Sequence, residues 1–173
     1  MAENWTFVSE EWKTISLHDH RITCVEESGP DLILRFDEDG FDVTCDNSLN
    51  PTGRHRNTGP AAAILKNWCW EDGAFGSYCF RIIRLGNGQE KHIPLPIVPI
   101  TRTQFLHDLT LEVLDFIWEP DKGLLTLDGN GYMSPPPPGS EDGFADIKLR
   151  CDRLLFCWNG LPQDAWFQER PRK

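Results

Sequence analysis

Two stretches of this chain carry the same punctuation, and that constrains its fold more than any other feature. Residues 17–40, LHDHRITCVEESGPDLILRFDEDG, are echoed by residues 106–129, LHDLTLEVLDFIWEPDKGLLTLDG. Leu-His-Asp opens both and Asp-Gly closes both, 89 residues apart, and Trp68-Cys69-Trp70 is followed 88 residues later by Phe156-Cys157-Trp158. Three collinear matches that drift by one residue predict an internal repeat of two related units. The alternation inside the first unit has a period of two. His18, His20, Ile22 and Cys24 share one parity and Asp19, Arg21 and Thr23 the other, as in a half-buried strand. Ser28-Gly29-Pro30-Asp31 is turn chemistry, after which Leu32, Leu34 and Phe36 alternate with Ile33, Arg35 and Asp37. A second turn at Glu38-Asp39-Gly40 leads to Phe41, Val43 and Cys45, which makes a three-stranded meander.

The rest of the chain extends this pattern. Residues 46–60, DNSLNPTGRHRNTGP, have no periodicity and predict a long loop, a place where recognition residues concentrate. Residues 61–70 and 77–85 predict two more strands, with a turn at Leu85-Gly86-Asn87-Gly88. The segment 93–99, IPLPIVP, lacks ladder donors at Pro94, Pro96 and Pro99, and predicts an extended connector between the halves. Residues 103–118 fit a helical stripe and a strand, and the parity of His107 with Leu109, Leu111 and Val113 favours the strand. The run SPPPPGSEDG at 134–143 predicts a polyproline segment, and 144–151 and 153–158 two closing strands. The expected fold is therefore all-β in one domain over 1–173. Two related antiparallel meanders, about 12–90 and 101–160, pack as a sandwich or close as a barrel.

Composition narrows the function classes. At 173 residues the chain can bury roughly 70% of its unfolded surface without a cross-link. Seven Trp and ten Phe within a 39% apolar composition describe a globule, not a disordered chain. The six cysteines form no C-x-x-C pair and fit reduced core thiols. There is no run of 18 apolar residues and no basic, apolar leader at the start, so a cytoplasmic location is expected. A net charge of −10 with a pI near 4.9 repels nucleic acid and anionic membrane, and attracts a basic protein partner.

Three sets of residues are candidates for binding or chemistry. Arg54, His55 and Arg56 form a dense basic cluster in the long loop of an otherwise acidic chain. Trp68, Trp70 and Trp158 are candidates for an aromatic cavity wall, and equally for core. His18 and His20, at the mouth of the first hairpin, supply imidazoles for a metal if a third ligand joins them from elsewhere. No G-x-S-x-G, H-E-x-x-H, Walker or dinucleotide fingerprint is present, and no cofactor is implied. The expected function is a non-enzymatic binding protein that meets a protein partner through its acidic surface and its loops at 46–60 and 134–143. In general character, though in no shared motif, it is similar to bacterial immunity proteins. A small-ligand carrier with an aromatic cavity and a metal-dependent hydrolase using His18 and His20 are the alternatives.

Overall fold

A computed structural model describes residues 4–136 and 142–168. In chain order its elements are β1 (Phe7–Ser9), a 3-10 turn (Trp12–Thr14), β2 (Ile15–Ser16), β3 (His20–Ser28), β4 (Asp31–Phe36), β5 (Asp42–Val43) and β6 (Arg56–Asn57). They continue with β7 (Ala61–Lys66), β8 (Cys69–Ser77), β9 (Phe80–Arg84), β10 (Glu90–Pro94), β11 (Val98–Pro99) and the short helix α1 (Arg102–His107). Strands β12 (Leu109–Glu119), β13 (Leu124–Met133), β14 (Asp142–Arg150), β15 (Arg153–Trp158) and β16 (Gln163–Asp164) complete the chain.

The all-β class holds. One ten-stranded antiparallel sheet runs β1-β15-β7-β4-β3-β12-β13-β14-β8-β11. The hairpins β3–β4 and β12–β13 lie side by side at its centre, joined where Arg21 and Ile22 face Glu112 and Leu111. Outward from that seam the order is mirrored, with β7 beside β4 and β14 beside β13. The next strand of each half then crosses to the other: β8 pairs with β14 and β15 with β7. We propose that the two halves share this plan of topology. The matched residues themselves sit in different local structure, since Asp39-Gly40 is a turn and Asp128-Gly129 lies inside β13.

One face of the large sheet carries the core, through Leu32, Leu34 and Phe36 of β4, Leu125 and Leu127 of β13, Ile147 and Leu149 of β14, and Phe156 and Trp158 of β15. The sheet curls enough to bring Phe116 of β12 against Phe156 of β15, ring centres 5.9 Å apart. A small antiparallel ladder, β16-β6-β5-β2, packs on this face. The turn before β5 contributes Phe41, which meets Phe36, Phe156 and Trp158 edge-on at 5.4–6.0 Å. Layers thus meet as in a sandwich, with aromatics supplying much of the buried area. Gly129 is a geometric requirement here, because a Cβ at that position would stand 2.0 Å from the Glu112 carbonyl oxygen.

Local irregularities explain where the strands depart from the simple alternation. A bulge between Ile22 and Cys24 reverses parity in β3, so Val25 is buried and Cys24 exposed. Residues 101–119 are both of the expected alternatives in succession. Thr101 caps α1, accepting from Gln104 N while Gln104 returns a bond to the Thr101 N–H, and the strand begins only at Leu109. The proline segment 93–99 is not a bare connector. Its ends pair at sheet edges, Pro94 opposite Phe80 and Pro99 opposite Ala74, positions where a missing donor is tolerated. Half of the 134–143 loop, residues 137–141, lies outside the described residues.

Candidate functional site: an acidic cleft beside the long loop

The loop 46–60 is held in place by its own amides. Asn50 Nδ2 donates to the carbonyls of Val43, Thr44 and Arg54 at 3.2, 3.0 and 2.8 Å, and Asn50 is itself buried. Asn47 Nδ2 reaches Thr14 Oγ1 at 2.7 Å while its oxygen accepts from Leu49 N at 2.9 Å. Ser48 donates twice to Glu11, and these bonds hold the Glu11 carboxyl below its ordinary value. Asx-type bonds of this kind replace the ladder that the sequence lacks.

Between this loop, the mouth of β3 and the C-terminal segment lies a cleft of about 280 Å³. Asp19, Asp37, Asp39, Asp42 and Asp164 line it, together with His20, Asn57, Gln163 and Trp166. Its floor is rigid. His20 Nε2 donates to Asp42 Oδ2 at 3.1 Å, both residues being buried, and Asp42 Oδ1 accepts from Asn57 Nδ2 at 3.3 Å. Asp19 is set by a left-handed φ of 64° and by its N–H, which donates to Val113 O at 2.8 Å. Gly40 lets the turn carrying Asp37 and Asp39 close down, because a Cβ there would stand 1.7 Å from Gly59 O. Trp166 stands at the rim, 69% exposed.

The basic cluster faces this cleft from behind one of its walls. Arg54 and Arg56 both pair with Asp164, at 2.9 and 2.5 Å, and Arg56 also donates to Leu161 O at 3.2 and 2.6 Å. His55 is buried, accepts from Cys45 N at 3.1 Å and packs on Phe167, ring centres 5.0 Å apart. The three residues fasten the C-terminal segment to the loop. Of the Asp side chains in the cleft, Asp164 is thereby neutralised and Asp42 committed, while Asp19, Asp37 and Asp39 remain at the mouth.

The three tryptophans do not share a cavity. Trp158 is fully buried against Phe7 and Phe41, and Trp70 packs on Phe105 of α1. Trp68 takes the Arg102 guanidinium over its ring at 5.1 Å. His18 and His20 also turn to different partners, since His18 Nδ1 donates to Leu114 O at 2.6 Å while His20 faces Asp42. Among the described residues no group of three or more His, Cys, Asp or Glu is arranged to hold a metal ion. Compared with protein families, with curated proteins and with solved structures, the chain matches none. No helix among the described residues is long and apolar enough to cross a membrane.

A larger groove of about 600 Å³ crosses the outer face of β3, β12 and β13. Its polar groups are spent on one another: Arg21 on Glu112 at 3.3 Å, Asn130 Nδ2 on Glu112 at 3.1 Å, and Tyr78 Oη on Asn130 Oδ1 at 2.6 Å. The acidic cleft is the better candidate because its mouth carboxylates are only lightly engaged, Asp37 Oδ1 accepting the Asp39 N–H at 3.1 Å and Asp19 lying 3.7 Å from His18 Nε2. In the sequence Asp37 closes a strand and Asp39 stands in the turn that follows, and nothing there singles out Asp42, Asp164 or Trp166. The available signal is the density of acid in 37–42, DEDGFD, flanking a histidine-bearing strand mouth.

Proposed function

We propose that the protein is a non-enzymatic binding protein that receives a basic segment of a protein partner in the acidic cleft. The observation that carries this reading is the mouth itself. Asp19, Asp37 and Asp39 stand around a fixed His20–Asp42–Asn57 floor, beside an indole that is 69% exposed, on a chain of net charge −10. An arginine or lysine entering such a mouth meets carboxylates and an aromatic face together, and the acidic body steers it inward. The floor offers a His-Asp pair but no serine, cysteine or threonine among the lining residues to act as its nucleophile. The test is affinity capture from native lysate at low and high salt, with wild type and the Asp37→Asn/Asp39→Asn variant in parallel. A basic protein retained by wild type at low salt, released at high salt and missed by the variant supports the reading. Equal capture by both proteins removes it.

A further inference from the structure

Strand β9 leaves one edge of its hairpin open. Strands β9 and β10 form a two-stranded sheet of their own, and every residue of β9 is exposed, Phe80 and Ile82 at 54% each. A lone two-stranded hairpin is marginal in water, and one that shows this much apolar surface calls for a cover. The backbone says where that cover attaches. Leu85 N donates to Gln89 O at 2.8 Å, so in the observed register the hydrogen-bonded pairs that follow are Ile83–Lys91 and Arg81–Ile93. Pro94, which has no N–H, accordingly stands opposite Phe80 at a non-bonded position. Phe80, Ile82 and Arg84 therefore turn their N–H and C=O groups to the open edge.

We propose that this edge pairs with the β9 edge of a second copy of the chain. An antiparallel pairing about a two-fold axis at Ile82 sets Ile82 against Ile82, Phe80 against Arg84 and Arg81 against Ile83. Every outward N–H and C=O of the three residues then meets a partner. Each arginine faces an apolar side chain, one of them an aromatic ring, and no like charges are directly opposed. The sequence Phe-Arg-Ile-Ile-Arg is thus self-complementary in the way a two-fold interface requires. Charge sets the salt dependence. The β9–β10 arm, residues 80–94, holds Arg81, Arg84 and Lys91 against the single acid Glu90, a net charge of +2, while the remainder of the chain carries −12. Arms repel arms and bodies repel bodies, so salt strengthens this association, whereas it weakens a basic partner's hold on the cleft. The two readings can fail separately.

Sedimentation velocity over a concentration series, at about 0.05 M and about 0.5 M salt, tests the pairing. The expected result is a concentration-dependent dimer that tightens with salt. Ile82→Lys sets two ammonium groups face to face and should weaken the dimer about tenfold or more. Ile83→Glu places a carboxylate opposite Arg81 of the second copy, and should keep the dimer while making salt weaken it. Thermal unfolding reports whether either variant folds, and Ile83→Glu tests the register even if Ile82→Lys does not. A monomer across the whole series overturns the proposal, as does an Ile82→Lys dimer as tight as wild type. So does a dimer lost in Asp37→Asn/Asp39→Asn, which would place the arm of one copy in the cleft of the other.

Discussion

Removing one carboxylate from the outer face of the sheet should stabilise this protein. Asp115, Asp128 and Asp146 lie directly opposite one another on β12, β13 and β14. Asp128, the middle one, has a buried Oδ1 with no hydrogen-bond partner. Burial, then Asp146, then Asp115 push its carboxyl above the ordinary value of 3.8, and Lys148 offsets this in part. Directly opposed like charges cost a few tenths to about 1 kcal/mol per pair, and Asp128 takes part in two such pairs. Asp128→Asn should therefore raise the unfolding free energy by about 1 kcal/mol at pH 7, or roughly 3 °C in Tm. The pH dependence has a definite sign. The native state binds this proton more tightly than the unfolded chain, so the penalty of ionised Asp128 is absent below 3.8 and sets in as pH rises through the raised native value. Urea unfolding of wild type and variant at pH 7 and near pH 4 reads both effects, with Asp121→Asn in the exposed β12–β13 turn as the control. A variant less stable than wild type at pH 7, or a difference that does not shrink toward pH 4, refutes the reasoning.

Two further substitutions test the frame of the cleft. Asp42→Ala strands the buried His20 Nε2 and the Asn57 amide and should cost about 2–3 kcal/mol in urea unfolding. Asn50→Ala removes three donations to backbone carbonyls and should cost about 2 kcal/mol, with limited proteolysis expected to move to residues 46–60.

Much of the fold is legible because burial on one face imposes period two on the sequence. The alternation of Leu32, Leu34 and Phe36 and the turn at Gly29-Pro30 give a hairpin whose two-residue connection the structure repeats, with Gly29 at φ 62°. Helix α1 was within reach as well, since Thr101 and Gln104 have the spacing of a capping box. What the alternation cannot carry is a bulge. Nothing local in Ile22-Thr23-Cys24 announces the extra residue that sends Cys24 outward. Long-range pairing hides the rest. Arg54 and Arg56 look like a free basic cluster because Asp164, which neutralises both, is more than a hundred residues away. Asp37, Asp39 and Asp42 become a cleft only when β16 and Trp166 close its far side.

Calorimetric titration of an arginine-rich peptide into wild type and into Asp37→Asn/Asp39→Asn tests the cleft most directly. The expected result is binding to wild type that falls about tenfold or more between about 0.05 M and about 0.5 M salt, and that is largely lost in the variant. Peptide binding of equal strength to both proteins would mean that the whole acidic surface holds it, and the cleft would no longer be the site.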